Sequence, residues 1–479
     1  MDFTRIEPRF CKDPEAALKD PAVADKEFRE LVDEAHALGI YVILDIVLNH
    51  TGDLFNYEGM LDAAPWNSNG VYQIFWRNDG GIPQADEQAI DNVPALPATA
   101  GVWPKEFQHN DFFRRKGDVS GSSDITQGDF GSLKELATDF VDVSEGTFPV
   151  RNNLIRAYQY LIAKFDLDGY RIDTLQYIEP EFARTFGNAV REYALSIGKK
   201  NFFTFGEVWQ DDDESKIATF VGRNTVSGDD FIGVDAAIDF PMRRRLWDVC
   251  KGFAAPSVLA EHYDARRTAL KTVVSSHGDA GDFYIKFLDN HDVNERFHHP
   301  DFPDQTKIAL TCLMALQGIP CIYYGCEQGV SGSGDRREFV RQAVWGNEQA
   351  FSSDSEFYVF IRQLSQLFDT RPEMRYGRQY FRETSTNGND FGYSNETGGV
   401  LAFSRILNTS EIVVVANMHV RDEVTVEVVV DSHLNAEGRP WKVLFPAALT
   451  DTAPIITGTN GKMRTVQVKL PAMGCVVLG

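Results

Sequence analysis

The feature that most restricts how this chain can fold is a recurring unit: apolar residues at helical spacing, then a short β-branched or aromatic run that ends on polar side chains. The first such run is "YVILDIVLNHTG", Tyr41 to Gly52, and it follows a stripe of Phe28, Leu31, Val32, Ala35 and Leu38 that Gly39 terminates. It reads as a buried strand, yet it carries Asp45 inside and stops on Asn49 and His50. The unit then repeats. Leu154, Tyr158, Leu161, Ile162 and Phe165 lead into "DGYRID", and Phe182, Phe186, Ala189, Val190 and Tyr193 lead into "NFFTFGEVW". Further on, "FYIKFLDNHD" is a third strand ending in polar groups, and "QTKIALTCLMALQG" feeds "IPCIYYGCE". Repeated helix-to-strand units with apolar strands predict a parallel sheet covered by helices. In a parallel barrel the carboxyl ends of all strands face one side, so these polar endings should converge there, with Asp45 pointing toward the interior near the rim.

The remaining segments and the composition set further limits. About a hundred residues after the first strand are rich in Gly, Asn, Asp, Pro and aromatics with little periodicity, which predicts a functional excursion. From about Gly377 the texture changes: "VLAFSRIL", "EIVVVANM" and "EVTVEVVVD" alternate apolar and polar residues, as a small antiparallel β domain does. The 479 residues, 43% hydrophobic, suffice for a large core and more than one domain. Seventy acidic residues against 47 basic ones give a formal charge of −23, a surface that repels phosphate backbones and argues against nucleic acid as a partner. No run reaches the roughly 20 apolar residues that span a bilayer. Met1 is followed by Asp2 and further charged residues, with no signal-peptide core. The chain as given is therefore expected in the cytoplasm, apart from membranes, although an upstream segment could carry an export signal. Six dispersed cysteines, with no CxxC pair, read as buried free thiols.

Taken together, "DIVLNH", "GYRIDTLQY", "FGEVW" and "FLDNHD", in this order and at these separations, resemble the four sequence regions of the α-amylase superfamily, glycoside hydrolase family 13. The resemblance extends over most of the chain, since "SLKELAT" is similar to the family's fifth region, "GIPCIYYGCE" to its last barrel strand and the tail to its C-terminal β domain. It implies an α/β fold, a (β/α)8 TIM-type barrel over residues 1–376 interrupted by an excursion domain B at 51–150. A C-terminal β-sandwich would follow at 377–479. It further implies Asp173 as nucleophile, Glu207 as general acid/base and Asp292 as the third carboxylate. His50, Arg171, His291, Tyr177 and Trp209 would bind substrate, and Asn49 and Glu135 would be ligands of one structural calcium ion. Gln176 and Tyr177 stand where many relatives carry a Lys-His pair.

The chemistry asks for these residue types in its own right. Cleaving a glycosidic bond with retention takes one carboxylate to attack the anomeric carbon and one carboxylic acid to protonate the leaving oxygen. Arg171 and Asp173 are two apart on a strand and so face the same way, which lets the guanidinium keep Asp173 ionised. Glu207, flanked by Phe205, Val208 and Trp209, has apolar company that raises its pKa. Oxygen ligands such as Asn49 and Glu135 suit calcium.

The resemblance also places a strand, a helix and a second strand before the segment "DFTRIEPRF", with which this chain begins. Six barrel strands are expected, ending near Asp45, Asp173, Glu207, Asp239, Asp292 and Glu327. The outer two would be unpaired edges through which a second copy of the chain could pair. Three readings of function follow: a retaining hydrolase of α-glucosidic bonds in starch, glycogen or maltooligosaccharides, a transglycosylase of the same family, or a non-catalytic amylase-like binding partner.

Overall fold

The structure, a computed structural model, describes the chain except for residues 60–61, 90–99, 211, 227, 229, 276–277, 335–336, 347–349 and 447–453. It falls into two compact units: Met1–Trp209, Lys216–Ala237 and Thr272–Ala280 in the first, and Gln210–Ser215, Ile238–Lys271 and Gly281–Gly479 in the second.

The first unit is built on a parallel sheet of β1 (Ile43–Val47), β2 (Gly169–Asp173), β3 (Phe203–Gly206) and β4 (Ala236–Ala237), in that spatial order. Helices α1 (Pro21–Ala37), α2 (Pro149–Phe165) and α3 (Pro180–Ser196) accompany it. Each starts on a proline, whose fixed φ and missing N–H suit the first turn. Helix α2 buries Leu154, Tyr158, Leu161, Ile162 and Phe165, and α3 buries Phe182, Phe186 and Val190. The Tyr158 ring meets Tyr170 of β2 and Phe186 of α3 edge-on, with centroids 5.6 and 5.8 Å away. Burial of side chains this size contributes roughly 1.5–3 kcal/mol each and fixes the helices on the sheet.

Strand β1 departs from the wholly buried reading. Among the described residues it is paired only with β2, so it forms an edge; Ile43 is 40% exposed and only Ile46 of the strand is buried. The Asp45 side chain is 54% exposed, not turned into an interior. Leu31 and Leu38 of the α1 stripe are likewise exposed while Val32 is buried, because the packing partners of that helix lie on one side only among the described residues.

The excursion carries the antiparallel strands Phe55–Tyr57, Ile74–Arg77 and Pro83–Ala89, and a short ladder joins His50–Thr51 to Lys134–Glu135. Residues 60–61 and 90–99 of the stretch read as the excursion are outside the described residues.

In the second unit, β5 (Ile285–Lys286) pairs in parallel with β6 (Ile319–Pro320), and Ile238 bridges to Ile285. Its helices are α4 (Phe240–Cys250), α5 (Ser257–Ala269), α6 (Pro303–Ala315) and α7 (Glu356–Thr370). The strands expected to run to Asp292 and Glu327 are shorter than their apolar runs suggested. Asp289 accepts the Phe297 N–H at 2.6 Å, and Asn290 accepts those of Asp292 and Val293 at 2.9 and 3.0 Å. These backbone donors therefore close a loop instead of extending a ladder. Among the described residues, six parallel strand segments precede the expected positions without closing into a barrel.

The C-terminal part of this unit is a pair of five-stranded sheets, one centred on Val400–Leu407 and Ser410–Asn417, the other on Val424–Val430 and Met463–Leu470. The first sheet is covered on both faces. Leu401, Phe403, Ile412 and Val414 join a cluster with Leu246, Ile308 and Leu364 of the helices, whereas Ala402, Val413 and Val415 join Val426, Val428 and Val468 of the second sheet. Of the cysteines, all free, Cys250, Cys312 and Cys475 are buried, but Cys321 is exposed. No helix of the described residues is long and apolar enough to cross a membrane.

Gly169 fixes the spacing of β2 and β3, because a Cβ there would sit 2.1 Å from the Phe203 carbonyl oxygen. Backbone cannot give way as a side-chain end can. Gly169→Ala is expected to destabilise the first unit by about 1–3 kcal/mol, seen as a lower melting temperature; an unchanged melt would show that the two strands can separate freely.

Candidate active site

The polar endings of β1, β2 and β3 do converge, and Arg171 is the point on which they converge. Parallel register sets Asp45 level with Arg171 and Arg171 level with Phe205. The buried guanidinium donates through Nη1 to Asp45 Oδ1 and Oδ2 at 2.9 and 3.2 Å and to Asp173 Oδ1, and through Nη2 to Glu207 Oε2 at 2.7 Å. Burial works against its charge, but Asp45, Glu207 and Asp173 outweigh that and hold it firmly protonated. The Glu207 N–H continues the ladder to Ile172 O at 2.8 Å, which fixes the residue just beyond the end of β3.

The two carboxyls differ in environment. Glu207 is 5% exposed, and burial raises it to about 7, against the opposing pull of Arg171 and with help from the charge of Asp173. It shares the Arg171 guanidinium with the Asp173 carboxyl. Asp173 is only partly buried and lies directly on the guanidinium. A carboxyl that keeps its proton toward neutral pH, beside a second carboxyl on the same guanidinium, makes a pair suited to proton donation and nucleophilic attack.

Next to this pair, Asn49 and His50 are buried. Asn49 Oδ1 lies 2.6 Å from the Thr174 hydroxyl and 2.9 Å from His50 Nδ1, and Asn49 Nδ2 donates to Glu135 Oε2 at 3.0 Å. Burial lowers the His50 pKa, although Asp173 pulls it upward, so the ring is neutral and its Nε2 is the nitrogen available to a sugar hydroxyl. Glu135, 1% exposed, is raised well above the ordinary carboxylate range by burial. Tyr177 lies in the turn after β2, its ring edge-on to Phe130 at 5.7 Å, and Trp209 is 40% exposed two residues beyond Glu207.

Asp292 and His291 belong to the second unit. There Arg341 donates through Nη2 to Asp292 Oδ1 at 3.0 Å and through Nε to the His291 carbonyl at 2.8 Å, while His291 Nε2 lies 3.0 Å from Asp292 Oδ2. Arg341, like Thr174, was not singled out from the sequence, because neither stands in a recurring polar ending.

One other group of the described residues has ligand atoms close enough for a metal: Glu214, Asp239 and His262, all within 4.8 Å of one another. A guanidinium already sits among them. Arg266 donates to Asp239 Oδ2 at 2.7 Å, Glu214 Oε1 at 2.9 Å and His262 Nε2 at 2.9 Å, and burial with the nearby Arg266 lowers His262 to about 2. The charge of the two carboxylates is therefore answered by the protein itself.

Residues 23–363 match the family described as α-amylase, catalytic domain. The chain belongs to the α-amylase family. It is 25% identical over 447 residues to an α-amylase of Streptomyces lividans, a match covering 84% of this chain and 44% of that protein. Against a cyclomaltodextrin glucanotransferase of Bacillus sp. (strain 17-1) it is 26% identical over 393 residues, 80% of this chain and 46% of that one. The chain thus spans less than half the length of these curated relatives. Among solved structures, the α-amylase from Geobacillus thermoleovorans complexed with acarbose is similar with a TM-score of 0.65 and 20% identity, covering 100% of this chain and 82% of that one. The likeness shows the fold, that of (β/α)8 amylases with a C-terminal β domain.

The raised Glu207 pKa has a definite sign. A carboxyl at 4.5 when unfolded and about 7 when folded contributes stability that is full below about 4.5 and lost as pH rises to about 7. Carbon-13 NMR of the carboxyls is expected to show Glu207 titrating at about 7, and Glu207→Gln is expected to flatten stability over that window. Titration in the ordinary range would mean that Arg171 dominates over burial.

Proposed function

We propose that this chain is a retaining glycoside hydrolase acting on α-glucosidic bonds of starch, glycogen or maltooligosaccharides. The observation that carries the reading is that one guanidinium, Arg171, holds both the Asp173 and the Glu207 carboxyls. Retaining enzymes hold their two carboxyls about 5–5.5 Å apart, whereas inverting enzymes need about 6.5–9.5 Å to admit a water between them. Two carboxyls gripped by the two terminal nitrogens of one guanidinium suit the shorter separation. In the first step an oxygen of Asp173 bonds to the anomeric carbon while Glu207 gives its proton to the glycosidic oxygen, whose bond to that carbon breaks. In the second step Glu207 takes a proton from water, the water oxygen bonds to the anomeric carbon and Asp173 is released. Asp292 is assigned to stabilise the positive charge that develops on the sugar ring. His50, Arg171, His291, Tyr177 and Trp209 are assigned to hold the substrate, the aromatic rings by stacking. Transfer to a sugar acceptor instead of water is the second reading, favoured by the likeness to a glucanotransferase.

Asn49 and Glu135 are the residues that would hold a calcium ion. Their donors fit in kind: a buried carboxylate and an amide in direct contact, both hard oxygen ligands once the amide presents its oxygen. A bound ion would neutralise the buried Glu135 carboxylate and tie the ends of the His50–Thr51 and Lys134–Glu135 ladder.

Asp173→Asn is expected to lower the release of reducing sugar from maltooligosaccharides by several orders of magnitude with the melting temperature unchanged; near-normal turnover would remove Asp173 as nucleophile. Product analysis with and without an added acceptor sugar separates hydrolysis from transfer, and absence of both in the wild-type chain would favour a binding role. Calcium is expected to raise the melting temperature and a chelator to lower it, with both responses lost in Glu135→Gln. A melt indifferent to both would leave these residues as a hydrogen-bonded pair.

A further inference from the structure

Thr174, immediately after Asp173, has a backbone conformation that its side chain disfavours. Its φ of 47° and ψ of 37° are left-handed, and it is the only β-branched residue with positive φ among the described residues. Such a conformation is rare for a residue branched at Cβ, and it persists only where the surroundings impose it. Here they do. The Thr174 carbonyl accepts the Tyr177 N–H at 3.0 Å, closing the turn. Leu175, 1% exposed, is pressed so closely on Gly206 that a Cβ at that position would lie 2.1 Å from Leu175 Cδ2.

In this conformation a single residue touches both carboxyls and the neighbouring amide. The Thr174 N–H donates to Glu207 Oε2 at 3.3 Å. The hydroxyl lies 3.3 Å from Asp173 Oδ2 and 2.6 Å from Asn49 Oδ1, and Asn49 in turn bonds Glu135. Asp173 Oδ1 is already fixed by Arg171. The hydroxyl has one proton: with the Asn49 amide turned so that its nitrogen faces Thr174, as calcium binding through its oxygen requires, Asn49 donates to the hydroxyl and the hydroxyl donates to Asp173 Oδ2, and with two oxygens held a carboxylate has one rotamer.

We propose that Thr174 is a positioning residue for the Asp173–Glu207 pair: its hydroxyl locks the Asp173 carboxylate and couples it through Asn49 to Glu135 in the excursion. This rests on the retaining-glycosidase reading above. Since a misplacement of about 1 Å at a reacting group can cost about 100-fold in rate, loss of the lock should appear in kcat and leave KM nearly untouched, because Thr174 is not assigned to hold the sugar.

The test compares Thr174→Val, which keeps the branched shape and removes the hydroxyl, with Thr174→Ser, which keeps the hydroxyl, on maltoheptaose. Thr174→Val is expected to lower kcat by about 10- to 100-fold with little change in KM or melting temperature, and Thr174→Ser to restore most of it. A Val variant at wild-type kcat, or a Ser variant no better than Val, overturns the proposal, and Asp173→Asn measured alongside shows whether the nucleophile assignment stands independently. Crystal structures of the wild-type chain and Thr174→Val decide the matter without turnover: the Asp173 carboxylate is expected in one rotamer in the first and in more than one in the second. The same single rotamer in both also overturns the proposal.

Discussion

The site depends on one guanidinium. Arg171 lies at the middle of the first unit's sheet, with Asp45 across one strand boundary, Glu207 beyond the other and Asp173 two residues on along its own strand. Three carboxyls drawn to a single buried cation leave an excess of negative charge that low-dielectric surroundings do not tolerate. The most buried of the three, Glu207, answers by holding its proton to about 7. The raised pKa of Glu207 follows from shared attraction and unequal burial. Asp45, half exposed, bonds the same guanidinium from the water side.

The second unit repeats the device on a smaller scale. Asp292 is bound by Arg341 and His291, and its backbone is held by Asn290 in a turn. Deeper in that unit Arg266 satisfies Glu214, Asp239 and His262 together. In both places an arginine fork, whose planar donors can serve several acceptors at once, does what a small metal ion does elsewhere.

Much of this was legible in the sequence, because it depends on periodicity. The stripe of α2 is buried as its 3.6-residue spacing implied, that of α3 is buried at Phe182, Phe186 and Val190 with Ala189 and Tyr193 half-buried, and the alternation after Gly377 is a pair of sheets in which the two faces of one strand enter two different cores. Arg171 and Asp173 share a face because side chains on a strand repeat every two residues. Edge effects were not legible. Ile43, Leu31 and Leu38 are apolar residues at regular positions, yet they are exposed, since whether a regular face is covered depends on what packs beside it. The shortening of β5 and β6 is of the same kind: the chain chose loop hydrogen bonds made by Asp289 and Asn290 over ladder bonds for which no further strand was at hand among the described residues.

The sequence by itself determined the residue types, their order and the face of each strand on which they lie, because those follow from local stereochemistry along one chain. Only the tertiary structure decided that Arg171 serves three carboxyls, that burial raises Glu207 to about 7, and that Thr174 stands in a left-handed turn between them. These are properties of distance and burial between segments far apart in sequence, from Asp45 to Glu207, and neither distance nor dielectric is written in any one of them.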